Sequence, residues 1–181
     1  MKHPLLLLEI QKKSLELATI IFAQTARAAD AGTARFPDFS VELESYYFNE
    51  MHAKAVELAV NMRRMDDSGS TSGAWIRLIG EVGAQDPIGS FLAPTTDPMT
   101  IRDVCNKIIH ADDTRYDQGR IENSDGHGNL LNRQTYLTGE VTLISTDPKN
   151  AWKCHIDLLA FARACFTLTD RWVSGDFERS P

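Results

Sequence analysis

A single change of hydrophobic period constrains this chain more than anything else in it. Over most of its length apolar residues recur at three- and four-residue steps, as in helices with one buried face. Only from about Arg120 to Ser145 do strand-forming residues gather, among them Thr135, Leu137, Val141, Leu143 and Ile144. The pattern predicts a mainly α fold: a helical bundle of four or five helices, with a small β-hairpin or meander before the last helix. The 181 residues suit one helical domain, 1–181, with the hairpin insert at 120–146. At that length a core forms without disulfides or metals to staple it.

The first helix is expected from Pro4 to Ala29, with Leu8, Leu15, Ala18, Ile21 and Phe22 as its apolar residues and Lys12, Lys13 and Glu16 on the other side. Asp30, Ala31 and Gly32 stop it, and Arg35–Asp38 form a connector around Pro37. Ser40 is a candidate N-cap for a second helix to about Met65, with Glu42 and Glu44 at the positive end of its dipole. Its stripe is Tyr47, Met51, Ala55, Leu58, Met62 and Met65, a spacing that reads as core. Asp66–Gly73 reads as a flexible inter-helix loop, Trp75–Val82 as a short helix, and Gly83–Pro98, rich in Gly and Pro, as irregular. A helix from about Thr100 to Ala111 opens on a capping box, Thr100 with Asp103, and is expected to bury Ile101, Val104, Ile108 and Ile109, with Cys105 completing that face. The cluster Asn123–Asn129 is a turn. Asp147 and Pro148 end the strands, and Asn150 caps a last helix from Ala151 to about Trp172. Tyr47, Met51, Leu58, Val104, Ile108, Leu159 and Phe166 are the expected core.

Composition narrows the function classes. The formal charge of −6 gives no broad electrostatic footprint for duplex DNA, although a local basic cleft is compatible with it. Cys105, Cys154 and Cys165 contain no Cys-x-x-Cys pair and read as reduced, buried residues. The apolar run Leu5–Leu8 is too short for a signal-peptide core or a membrane span. The expectation is a cytoplasmic protein without membrane contact, cofactor or metal. Glu50 with His52 lacks zincin spacing, Asp125–Gly126 lacks a calcium-loop ladder, and there is no Walker or dinucleotide loop. His3 is terminal, His127 lies in a Gly turn, and His52 and His155 are expected on helices without a matching partner in sequence.

One constellation carries chemistry. Arg102, Asn106 and His110 are spaced i, i+4, i+8. Four residues advance about 400° around a helix, so each polar head stands roughly one turn above the last. Asn106 can orient the His110 ring, and Arg102 offers a fork for an anion. Asp112, Asp113 and Arg115 follow in the exit loop. The same spacing also fits a plain surface helix, whose dipole favours a histidine at its carboxyl end by roughly 0.3–1 kcal/mol.

With the order of helices around it, Asn106-x-x-x-His110 in the segment CNKIIHA resembles the HEPN superfamily of helical-bundle proteins. Many of those are RNases, toxins or defence components. The resemblance implies metal-independent cleavage of an RNA substrate by a homodimer whose site spans two chains. On that reading His110 moves the proton, Asn106 holds the ring, and Arg102 or Arg115 stabilises the phosphoryl oxygens. The family's Arg directly before the polar residue is replaced here by Cys105. The alternative is a non-catalytic helical module that binds a protein partner, antitoxin-like or defence-associated.

Overall fold

The computed structural model describes residues 4–30, 40–69, 72–85, 87–124, 127–128 and 130–175. The Arg35–Asp38 connector, and Asp125, Gly126 and Asn129 of the expected turn, lie outside the described residues. In chain order the elements are α1 (Pro4–Asp30), α2 (Ser40–Gly69), α3 (Gly73–Gln85), β1 (Gly89–Ala93), α4 (Ile101–His110), β2 (Asp113–Ser124), β3 (Leu130–Ser145), β4 (Trp152–Asp157) and α5 (Leu158–Ser174). The strands form one antiparallel sheet in the order β1-β4-β3-β2.

This corrects the expectation of a mainly helical bundle with a small hairpin at 120–146. Among the described residues the fold mixes five helices with a four-stranded sheet, and the hairpin is longer, Asp113 to Ser145. Two strands went unread in the sequence. The first, β1, lies in the stretch expected to be irregular; it reaches its partner because Gly89 has no side chain, and a Cβ there would stand 2.6 Å from the His155 carbonyl oxygen. The second, β4, occupies what reads as the first turns of the last helix. Trp152, Ile156 and Leu159 suit helical spacing, but Cys154 and Ile156 also alternate with exposed Lys153 and half-buried His155. The strand ends where Asp157 caps α5, its Oδ1 accepting from the backbone N–H groups of Leu159 at 2.8 Å and Ala160 at 2.9 Å. Gly175, in the left-handed region at φ 74°, closes the helix.

The helices cover one face of the sheet. Val141 pairs with Ile156 and Leu143 with Cys154, and all four side chains are buried. Thr142 pairs with His155 on the other face. The core is continuous through all five helices, β3 and β4, with Phe91 and Tyr116 of the outer strands packed against it. Met51, Leu58, Val104 and Ile108 are buried as expected, whereas Tyr47, Leu159 and Phe166 are half-buried. In α1 the core-facing residues are Leu7, Ile10, Ser14, Leu17, Ile21, Gln24 and Ala28. Leu8, Leu15 and Phe22, taken above for the core side, face solvent. Among the described residues no helix is long and apolar enough to cross a membrane.

Candidate functional site

The polar stripe starts from a well-defined helix. Thr100 Oγ1 accepts from the Asp103 N–H at 3.1 Å while Asp103 Oδ2 accepts from the Thr100 N–H at 3.0 Å, the expected capping box. Ile101, Val104, Cys105 and Ile108 of α4 go into the core. Arg102 and Asn106 then turn toward α2. The Arg102 guanidinium donates to Asp66 through Nη1 and to Asp67 Oδ1 through Nη2, the latter at 2.9 Å. Asn106 Oδ1 accepts from Arg63 Nη1, and Arg63 Nε also reaches Asp67 Oδ1 at 3.1 Å. The second oxygen of Asp66 accepts from the indole N–H of buried Trp75 at 3.2 Å. The hydrogen bond from Arg63, seconded by Arg102, holds the Asp67 carboxyl below the usual carboxylate range.

The sequence-predicted site is thus divided. Arg102 and Asn106 tie α4 to α2, whose Asp66 in turn holds Trp75 of α3, and among the described residues no hydrogen bond joins Asn106 to His110. His110 is exposed at the last turn, beside a cavity of about 420 Å³ that Asn106, Lys107, Asp112, Ser145 and Trp152 also line. Arg102 and Arg115 are not among its lining residues. Arg115 stands exposed on β2 and bonds Asp113 Oδ2 at 2.8 Å. Lys107 lies over the Trp152 ring, 4.2 Å from its centroid. Asp112 accepts from the Thr146 N–H at 2.7 Å and from the Ser145 hydroxyl at 3.0 Å, and these bonds, the Thr146 one first, hold its carboxyl low. Cys105 points into the core, and burial, with Asp66 nearby, pushes its thiol up to about 12. The position where the resembled family carries its Arg therefore faces away from the cavity.

Two further features escaped the sequence reading. An apolar groove of about 350 Å³ runs between α1 and α5, lined by Leu15, Ala18 and Phe22 on one side and Leu159, Ala162 and Phe166 on the other. On the outer face of the sheet Asp117, Glu140 and His155 bring one donor atom each within 4.8 Å of one another. These three come from three strands, so no local spacing announces them. No protein-family model matches the chain, and neither a curated protein nor a solved structure matches it.

Proposed function

We propose that this chain is a non-catalytic protein-binding module, and that its occupant is a second copy of the same chain docked along α1. The observation that carries the reading is a second apolar seam on α1. Leu8, Leu15 and Phe22 are 61%, 57% and 60% exposed, and they stand seven residues apart. Seven residues make about two turns, so the three side chains stack along one line of the helix. That line is self-complementary. In an antiparallel pair with its two-fold axis at Leu15, Leu8 of each copy opposes Phe22 of the other and Leu15 meets Leu15. The groove beside α5 continues the apolar surface. Full burial of each such side chain is worth roughly 1.5–3 kcal/mol before association costs. The engagement of Arg102 and Asn106 by α2 supports a non-catalytic reading of α4.

A second reading, a HEPN-like endoribonuclease acting without a metal, has one supporting observation. His110 is exposed beside a polar cavity that also holds Lys107 and Asn106. Two measurements separate the readings. Light scattering is expected to give twice the chain mass for the wild type and a single chain mass for Leu15→Glu, whose paired carboxylates would repel across the axis. A wild type that stays monomeric at all concentrations overturns self-docking. RNA cleavage by the wild type that disappears in His110→Ala would establish the enzyme instead.

A further inference from the structure

We infer that Asp117, Glu140 and His155 form a binding site for one divalent first-row transition-metal ion on the outer face of the sheet. The residues lie on β2, β3 and β4, three hydrogen-bonded neighbours, so the backbone beneath them is fixed. Their donor atoms are all within 4.8 Å of one another, with His155 Nδ1 and Asp117 Oδ2 4.0 Å apart. An ion held tetrahedrally at roughly 2.0–2.2 Å sets its donors roughly 3.3–3.6 Å apart. Closing from the present spacing takes about an ångström, within reach of rotation about the side-chain bonds of two exposed carboxylates.

An irregularity in the sheet builds this convergence. Tyr116 pairs with Val141 and Gln118 with Leu137, so β3 uses four residues where β2 uses two. The surplus turns at Gly139, whose φ of 89° favours glycine, and a Cβ there would press on Ile21 of α1 at 3.1 Å. The Thr138 hydroxyl donates to the Asp117 carbonyl at 3.2 Å and accepts from the Glu140 N–H at 3.2 Å. Asp117 and Glu140 are tied side by side in this way. His155 approaches from β4, where it pairs with Thr142, two residues along β3 from Glu140.

Charge gives an independent reason. Two carboxylates this close repel unless a cation lies between them. Among the described residues no Lys or Arg forms an ion pair with Asp117 or Glu140, and the partner within reach of Asp117 is the His155 ring. One imidazole nitrogen with two carboxylate oxygens suits zinc, cobalt, manganese or iron better than calcium or magnesium, which prefer all-oxygen sets. Three protein donors leave further positions open to water or to an oxygen of a bound molecule.

The test is titration of the full chain with cobalt(II), read by visible absorption, and with zinc(II), read by calorimetry. The expected result is one ion per chain, undisplaced by excess calcium or magnesium, and an upward shift of Tm with metal. Asp117→Asn, Glu140→Gln and His155→Gln should each weaken binding by at least about tenfold, and the two carboxylate substitutions, which relieve the repulsion, should not lower the metal-free Tm. A readout without substitutions is the amide spectrum of the wild type, where cobalt(II) should broaden residues 117, 140, 142 and 155 first. No saturable binding, binding untouched by all three substitutions, or broadening centred on another part of the chain would each overturn the inference.

Discussion

The Arg102 guanidinium donates to the Asp67 carboxylate at 2.9 Å across the seam between α4 and α2, and its other nitrogen is bonded to Asp66. A side chain expected to grip a phosphate is a strut between helices. Arg102→Ala should accordingly cost stability, about 1–3 kcal/mol, because Asp66 is buried and among the described residues keeps only the Trp75 indole as a partner. Urea unfolding measures this. An unchanged midpoint with unchanged slope would show that the knot carries no weight.

Acid should loosen the same knot. The folded-state pKa of Asp67 is depressed, chiefly by the hydrogen bond from Arg63. A depressed carboxyl contributes stability above its unfolded pKa and loses it as pH falls through the folded one. Tm should therefore fall as pH drops below the ordinary carboxylate range, and Asp67→Asn should flatten that part of the curve. A mutant curve parallel to the wild type throughout would contradict the assignment.

Gln24 of α1 is 0% exposed, and among the described residues neither its Oε1 nor its Nε2 has a hydrogen-bond partner. An unsatisfied buried amide costs about 1–3 kcal/mol. Gln24→Leu, close to it in volume, should raise stability by about 1–2 kcal/mol in the same unfolding assay. A loss would mean that the amide is held by a group such as a buried water.

Cys105→Arg, the substitution that would restore the resembled family's motif, should destabilise the chain rather than create an activity. The side chain would enter the core next to Val104 and Ile108, where an unpaired guanidinium costs several kcal/mol, roughly 3–5. In the native wild type all three thiols should resist a thiol reagent, since each is buried and burial raises the pKa of each. Rapid labelling of one thiol in native buffer would contradict this; all three should react in denaturant.

The sequence by itself determined what depends on neighbours along the chain. The helices α1, α2 and α4 were legible because period and caps are local, as Thr100 with Asp103 shows. So were the buried cysteines and the core side of α4. Tertiary structure decided what depends on residues far apart. Leu7, Ser14 and Ile21 form one seven-residue series and Leu8, Leu15 and Phe22 another, about 100° apart on the same helix; only packing against α5, α2 and β3 selected the first. The segment from Trp152 fits either period, and pairing with Val141, Leu143 and β1 made it a strand. Arg102 met Asp66 and Asp67 because α4 crosses α2, so a stripe that looked free in sequence was engaged in space. Asp117, Glu140 and His155 met because three strands pair across a bulge, and sheet register is a long-range property that no local spacing encodes.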